Sequence, residues 1–252
     1  MKKLDLTIVC CYNRKEQLDK ELLKTLNDQS ASCELVLIDN SNNKFKSAAS
    51  ALNYGASKVK TKYVLFSHQD ICFLNDNSLE EIYNYMVKYS NAIIGVAGVK
   101  LEQIEVYTSI LHGEHKKLAG EIIPTKPEKV ISLDECLFGM SMDIYNKLKF
   151  DEINFDNWHL YAVDICYNAN SSDIDVYVVP SNIWHTSSGK LNNSFFKGVK
   201  KLRKKYGKKY DIIKSTCITI NKNENLFVKK LKLTKLPNSK IYNYYLKIKK
   251  KH

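Results

Sequence analysis

The 252-residue sequence lacks the glycine-rich loops that commonly hold phosphate groups. Neither a G-x-G-x-x-G nor a Walker A sequence occurs in it, and Cys10 to Arg14, which follow the first predicted strand, include no glycine. In those loops glycine lets backbone amides approach the phosphates closely. Their absence excludes a conventional dinucleotide-binding domain and a P-loop site. A diphosphate bound here would need another counter-charge, such as a divalent cation held by a carboxylate.

Long apolar runs and paired cysteines are also absent. The sequence has no apolar run of about eighteen residues, and the N-terminal stretch MKKLDLTIVCCYNR passes directly into a predicted strand. This pattern predicts neither a membrane-spanning helix nor a signal peptide. The seven cysteines are scattered and show no C-x-x-C spacing, which argues against a disulfide framework or a zinc site. We therefore expect a cytoplasmic protein with buried free thiols.

Acidic residues are scarce in the C-terminal quarter of the chain. Residues 190–252 hold 20 of the 39 Lys and Arg but only two acids, Asp211 and Glu224, whereas residues 1–189 hold 19 basic and 25 acidic residues. The net charge of +12 therefore comes from the C-terminal segment alone. A nucleic-acid-binding protein usually spreads basic surface over its folded domain. We predict no nucleic-acid partner and interpret the segment as an attachment device.

Apolar runs alternate with helical patterns along the rest of the chain. The runs LDLTIVCCY, CELVLIDN, KYVLFSHQD, AIIGVAGV and DVYVVPSNIWH are short and rich in β-branched residues, as buried strands are. Two helical patterns, RKEQLDKELLKTLNDQ and FKSAASALNYGASKVK, separate the first three runs. This β-α-β-α-β order predicts an α/β fold with a parallel sheet and helices on its faces.

Three of the predicted strands end in polar residues. They are TIVCCYNR, LVLIDNSNN and VLFSHQD. Ligands of open α/β sheets bind outside the carboxyl ends of the strands. We therefore expect these three ends to converge on one crevice that forms the functional site.

The order of the motifs resembles that of a known family. The series TIVCCYNR, LVLIDNSNN, ALNYGASKVKTKYVLFSHQD, FGMSMDIYNKLKFDEINFD and VDICYNA is similar to that of glycosyltransferase family 2. The resemblance implies a GT-A type, Rossmann-like nucleotide-sugar fold with a mostly parallel central sheet over residues 1–190. The charge and periodicity of the remaining residues predict a basic helical extension over 191–252. It also implies an inverting, metal-dependent transfer of a sugar from a UDP-sugar donor to a saccharide acceptor. His-Gln-Asp in place of the motif Asp-x-Asp resembles a bacterial subgroup associated with capsule and surface polysaccharide synthesis.

The resemblance assigns a set of donor-binding residues. Tyr12 would stack on the nucleotide base, and Asp39 would accept a hydrogen bond from uracil, although an Asp before Asn40 and Ser41 could equally form a turn. Gly55 would lie on a helix face that passes under the nucleotide, or it could equally be a packing contact. The full implied set is Cys10, Tyr12, Arg14, Asp39, Asn53, Gly55, His68, Gln69 and Gly139.

The resemblance also implies a metal site. Asp70 matches the last acid of the Asp-x-Asp motif. His185 follows the strand DVYVVP, and in many proteins of this fold a His after that strand completes the metal site. Together they would bind Mn²⁺ or Mg²⁺ bridging the two phosphates. His68 replaces the first acid of the motif, and whether it takes over that role stays open.

Catalytic and acceptor-binding residues are implied in the second half of the chain. Asp164 matches the last acid of the family's Glu-Asp motif and would be the base that deprotonates the acceptor hydroxyl, with His159 as the alternative base. Trp158 would stack on the acceptor sugar. Asp134 and Glu135 would also contact the acceptor, or would belong to a solvated loop.

The basic extension carries a periodic pattern. In FFKGVKKLRKKYGKKY, residues 195–210, apolar residues recur every three or four positions and eight Lys and Arg occupy the other faces. This pattern is typical of a basic amphipathic helix on an anionic membrane surface, or of a helix packed on the domain with a solvated lysine face. IYNYYLKIKKKH repeats the mixture of aromatic residues and lysines. We expect peripheral membrane attachment on the cytoplasmic side and a lipid-linked saccharide acceptor.

Two other functional classes remain open from the sequence. A sugar nucleotidyltransferase would be expected to carry a glycine-rich basic loop after the first strand, which CCYNRKEQ lacks. A non-catalytic module that binds a nucleotide or a membrane is compatible with the His-Gln-Asp departure.

Overall fold

The structure is a computed structural model that describes residues 2–187, 192–227 and 229. The strands are β1 (Lys2–Tyr12), β2 (Ala31–Asp39), β3 (Tyr63–Ser67), β4 (Ile71–Phe73), β5 (Ala92–Gly95), β6 (Ala97–Val99), β7 (Val106–Thr108), β8 (Ile110–His112), β9 (Lys117–Leu118), β10 (Glu128–Lys129), β11 (Ser132–Leu133), β12 (Leu137–Ser141), β13 (Asp175–Val178), β14 (Ile183–His185), β15 (Ile212–Lys214) and β16 (Thr219–Asn221). The helices are α1 (Lys15–Leu18) and α2 (Lys24–Asn27), joined by the π-helical turn Asp19–Leu23, then α3 (Ala48–Ala56), α4 (Ser78–Lys88), α5 (Met142–Leu148), α6 (Tyr161–Asn170) and α7 (Asn193–Tyr206).

The main sheet has seven strands in the order β10-β13-β5-β12-β3-β1-β2. β1, β2, β3, β5 and β13 run in one direction, and β12 and β10 run against them. The predicted α/β fold with a mostly parallel central sheet is therefore confirmed.

Two apolar runs that the sequence analysis treats as single strands are each divided between two sheets. AIIGVAGV becomes β5 in the main sheet and β6 in the small sheet β11-β6-β7, and DVYVVPSNIWH becomes β13 in the main sheet and β14 in the sheet β4-β14-β8-β9. Pro180 lies between the two halves of the second run and has no N–H to offer to a ladder. The division matters because it places β14 beside β4, which follows the end of β3.

Helices cover both faces of the main sheet. On one face, Leu18, Leu22 and the buried residues of α4 pack on the sheet. On the other face, α3, α5 and α6 form a second apolar cluster with the sheet. The core therefore lies in two layers, and the carboxyl ends of the strands stay uncovered at one edge.

The described part of the extension packs against the body. Phe195, Val199, Leu202 and Tyr206 of α7 are buried with residues of α6 and of the β15–β16 hairpin. This placement agrees with the helix packed on the domain. It leaves Lys197, Lys200 and Lys204 exposed on one face of α7 and Lys208 exposed in the turn that follows. The boundary at residue 190 stays a prediction, and the segment IYNYYLKIKKKH lies outside the described residues. Within the described part of the chain, no helix is long and apolar enough to cross a membrane.

Gly55 gives a direct test of the packing of α3. A Cβ atom at this position would lie 2.5 Å from Val9 Cγ1 and 2.6 Å from Ile38 Cδ1. We expect Gly55→Ala to lower the free energy of unfolding by about 1–3 kcal/mol through overpacking, as measured by chemical denaturation. The exposed Lys58→Ala should change it by less than about 0.5 kcal/mol, and equal effects of the two substitutions would contradict this packing.

Candidate functional site

The carboxyl ends of β1, β2 and β3 lie side by side. Cys10 pairs with Leu37 on β2 and with Ser67 on β3, and Tyr12 pairs with Asp39. The polar residues that follow these strands therefore meet at one edge of the sheet, as the sequence predicts.

A cleft of about 300 Å³ opens at this edge. A volume of this size lies at the lower end of small-molecule sites. The described lining residues include no Lys or Arg, so the cleft itself offers no fixed positive charge to a phosphate. They are Cys11, Tyr12, Asn13, Asn40, Asn43, Ala48, Leu52, Phe66, Ser67, His68, Gln69, Asp70, Trp158 and Tyr161.

Three potential metal ligands meet beside the cleft. β4 pairs with β14 so that Ile71 lies opposite His185, and this register brings His185 Nε2 to 3.2 Å from Asp70 Oδ1. His68 Nδ1 lies 3.9 Å from the same oxygen. The ligand atoms of His68, Asp70 and His185 all lie within 4.8 Å of one another. The structure thus brings together Asp70 and His185, the two residues predicted to bind metal. It also places His68 beside them as a third potential ligand.

The cluster suits a divalent cation. His185 Nε2 is buried and makes no hydrogen bond, because its short contact with Asp70 lacks hydrogen-bond geometry. A buried polar atom of this kind normally has a partner. One carboxylate oxygen and two imidazole nitrogens are ordinary ligands for Mn²⁺ and related cations.

The local charges favour an ionised Asp70. Burial alone would raise its pKa, but the neighbouring His185 and His68 imidazoles hold the pKa of Asp70 well below its ordinary value. Burial, and then the charge of His185, lower the pKa of His68. Burial would also lower the pKa of His185, yet Asp70 raises it on balance. The site therefore pairs a carboxylate with two imidazoles of unequal basicity.

His68 is also connected to helix α6. Its Nε2 lies 3.1 Å from the Tyr161 hydroxyl, which donates to the Glu135 carbonyl oxygen at 3.2 Å. Leu160, immediately before Tyr161, has a left-handed backbone with φ of 67°. Such a conformation is uncommon outside glycine and is frequent at functional sites. The residue before α6 is therefore held in an unusual conformation beside the cleft.

Tyr12 lines the cleft at the end of β1, and its strand partner Asp39 lies at the end of β2. Asp39 accepts a hydrogen bond of 2.8 Å from the Ser41 amide, which is the turn that the sequence allows, and the hydrogen bonds from Ser41 lower its pKa. Burial and then the charge of Asp39 raise the pKa of Tyr12. Gln69 Oε1 accepts from the amides of Asn13 at 2.9 Å and Arg14 at 3.1 Å. Gln69 thus fixes the glycine-free loop after β1.

Six predicted donor-binding residues are not among the residues that line the cleft: Cys10, Arg14, Asp39, Asn53, Gly55 and Gly139. Strand alternation turns Cys10 into the core and Cys11 toward the cleft. Asn53 uses its amide to bind Phe150 and Glu152, and it accepts from Tyr145. Gly55 and Gly139 lie where a Cβ would collide with neighbouring strands and side chains. Packing and hydrogen bonding within the domain account for these positions.

The predicted acceptor-side residues separate in space. Trp158 is 42% exposed and lines the cleft. Asp134 accepts from the Cys136 amide and the Thr216 hydroxyl. Burial, together with Asp134, raises the pKa of Glu135 well above its ordinary value. Trp158 is thus the member of this group that the structure brings to the cleft.

The two candidate bases have different surroundings. The Asp164 side chain is 3% exposed, and its Oδ1 lies 2.8 Å from Lys205 Nζ and accepts from the Tyr206 hydroxyl at 2.8 Å, so it faces α7 rather than the cleft. His159 follows Trp158 and packs edge-on against Phe195, 5.7 Å between ring centres. Burial lowers the pKa of His159, which favours a neutral imidazole.

Some cleft residues are not among the predicted site residues. Asn40 and Asn43 lie in the polar stretch that follows β2 and could have been selected on that ground, whereas Cys11 and Phe66 could have followed from strand alternation. Tyr161 has no such signal, because its contact with His68 joins residues 93 positions apart.

A mostly parallel sheet with a polar cleft and a metal-ligating cluster at its strand ends defines a nucleotide-sugar type of α/β domain. Residues 7–210 match the family model described as Glycosyltransferase like family. The match spans well over half of the chain, so the protein belongs to this family, in agreement with the resemblance. A search of the curated proteins gave no match.

The fold is similar to that of a solved GT-A glycosyltransferase. The crystal structure of GalNAc-T7 with UDP, GalNAc and Mn²⁺ superimposes with a TM-score of 0.56 and 11% sequence identity, over 79% of this chain and 48% of that chain. The present chain thus spans about half the length of that protein. At this identity the likeness shows the fold, which is the GT-A type.

Proposed function

We propose that the protein is an inverting, metal-dependent glycosyltransferase that moves a sugar from a UDP-sugar to a saccharide acceptor. The observation that carries the proposal is the His68, Asp70 and His185 cluster beside a cleft at the strand ends. The family match supports sugar transfer. The GT-A neighbour, which was crystallised with UDP, GalNAc and Mn²⁺, supports this type of donor and cation.

The described residues that line the cleft supply contacts for a nucleotide but no Lys or Arg. Tyr12 and Trp158 present aromatic surface to the cleft, and Asp39 is the strand partner of Tyr12. A divalent cation held by Asp70 and His185 would offset the charge of the leaving diphosphate. Because the lining residues that the structure describes include no Lys or Arg, nucleotide binding should depend on that cation.

The transfer needs a base on the acceptor side. The acceptor oxygen attacks the anomeric carbon opposite the bond to UDP, that bond breaks as the new one forms, and the base takes the hydroxyl proton. Of Asp164 and His159, we favour His159. Burial lowers its pKa and leaves a neutral imidazole, and His159 directly follows Trp158, which lines the cleft. Asp164 is already bound by Lys205 and Tyr206.

The exposed lysines of α7 support attachment to an anionic membrane surface. The apolar face of this helix is buried in the protein, so attachment would be electrostatic rather than insertive. Lysines near a membrane surface contribute on the order of 1 kcal/mol each. A lipid-linked acceptor of a bacterial capsule or surface glycan would fit such a location.

Metal-dependent nucleotide binding is the first test. We expect calorimetry to detect UDP binding with Mn²⁺ and to show at least tenfold weaker binding without it. The Asp70→Asn protein should lose the increase in UDP affinity that Mn²⁺ causes, because the cation then lacks its charged ligand. Asp143→Asn on α5 is the control and should keep that increase. Equal UDP affinity with and without Mn²⁺ would refute the proposal.

The base can be identified by comparing two substitutions. A screen of UDP-glucose, UDP-galactose and their N-acetyl forms for UDP release first identifies the donor. With that donor, His159→Gln should lower turnover by about 10²–10⁴-fold and leave the affinity for UDP unchanged. Asp164→Asn should mainly lower thermal stability, because it removes the more buried of the two carboxylates that pair with Lys205, the other being Asp151. A folded Asp164→Asn protein without turnover, beside an active His159→Gln protein, would move the base to Asp164.

Membrane attachment can be tested on the lysine face. Replacing Lys197, Lys200, Lys204 and Lys208 with Gln should reduce co-sedimentation with vesicles that contain anionic lipid by about tenfold or more, and UDP binding should persist. Replacing Lys58, Lys60, Lys147 and Lys149 with Gln removes the same charge elsewhere and is the matched control. An equal loss with both sets would show that the face of α7 has no special role.

A further inference from the structure

We propose that Tyr161 fixes the imidazole of His68 as a third protein ligand of the cation site, and that the resulting set of two histidines and one carboxylate selects a first-row transition-metal dication over Mg²⁺. The inference rests on the cation site of the proposed function. It assigns that site a positioning residue and a class of metal.

The hydrogen bonds of the Tyr161 hydroxyl determine which nitrogen of His68 carries a proton. The hydroxyl has one hydrogen, and the Glu135 carbonyl oxygen, 3.2 Å away, can only accept. If that hydrogen goes to Glu135, the contact of 3.1 Å with His68 Nε2 must be donated by the imidazole. The tautomer with a proton on Nε2 is the one that satisfies both contacts.

This tautomer leaves a lone pair on His68 Nδ1. Nδ1 is 3.9 Å from Asp70 Oδ1, which is too far for a hydrogen bond, so this carboxylate does not hold a proton on Nδ1. Histidines that bind metals typically donate their other ring N–H to an oxygen, which fixes the tautomer and the ring orientation. In the same way, the Nε2–H group of His68 donates to the hydroxyl oxygen of Tyr161.

The donor atoms then favour a particular class of cation. Two imidazole nitrogens and one carboxylate oxygen lie within 4.8 Å of one another. Mg²⁺ prefers oxygen ligands, whereas imidazole suits Mn²⁺ and the later first-row metals, with affinity rising from Mn²⁺ to Co²⁺. An acid at position 68 would make the set mostly oxygen, so His68 shifts the preference away from Mg²⁺.

Tyr161 is held rigidly enough to act as a positioning residue. It is 4% exposed, and its ring packs against Phe138 and Phe150, with ring centres 6.2 and 5.8 Å away. Phenylalanine can keep these ring contacts, so Tyr161→Phe removes the hydroxyl alone. Tyr145 is a matched control, because it is buried in the same aromatic cluster and its hydroxyl donates to Asn53.

The test is calorimetric titration of the full chain with Mn²⁺, Co²⁺ and Mg²⁺, each with and without UDP. For the unsubstituted protein we expect Co²⁺ to bind more tightly than Mn²⁺, and Mn²⁺ at least tenfold more tightly than Mg²⁺. Tyr161→Phe should weaken Mn²⁺ binding by about tenfold or more and Mg²⁺ binding by less than about threefold. Tyr145→Phe should change neither, and ¹⁵N NMR should show the proton on His68 Nε2 in the unsubstituted protein and in Tyr145→Phe.

The outcomes separate this inference from the proposed function. If none of the three cations binds with or without UDP, the cation site itself is wrong. If Mn²⁺ binds and Tyr161→Phe behaves like Tyr145→Phe, the positioning role of Tyr161 is refuted. If Tyr161→Phe does not fold, His68→Asp provides the test. This substitution should reduce the ratio of Mn²⁺ affinity to Mg²⁺ affinity by at least tenfold. An unchanged ratio would overturn the inference.

Discussion

The pairing of β4 with β14 is the constraint on which the site depends. β4 is three residues long and follows the end of β3 after only three residues, while β14 follows the separate strand β13. Their antiparallel register sets Ile71 opposite His185, and the Thr186 amide donates to the Asp70 carbonyl at 3.0 Å. Backbone hydrogen bonds thus hold two side chains 115 positions apart in contact, so their separation does not depend on flexible side chains alone.

Local patterns of the sequence predicted the parts of this arrangement that depend on neighbouring residues. The alternation of strands and helices, the polar strand ends and the motif residue Asp70 follow from periodicity and residue type, which act over a few positions. His185 followed from its place in the motif order. The division of DVYVVPSNIWH between two sheets did not, because a strand's choice of partner depends on the whole fold.

The less predictable features come from contacts between distant elements. Asp164 has the position of a motif acid, but whether its carboxylate faces the cleft depends on α7, which supplies Lys205 and Tyr206. The amphipathic pattern of α7 fits a membrane helix and a packed helix equally well. Its contacts with α6 and with β15–β16 decide where its apolar face lies, and no local pattern contains that information.

The hydrogen bonds of Gln69 have a consequence for the order in which ligands enter the cleft. In a glycine-rich loop the amides after the first strand are free to bind phosphate, but here the amides of Asn13 and Arg14 already donate to the Gln69 side chain. The cleft therefore meets an incoming diphosphate with the Asp70 carboxylate and without these two amide donors. Repulsion between like charges would slow entry of the nucleotide alone, so the kinetic pathway should be ordered, with the cation arriving before the nucleotide or together with it.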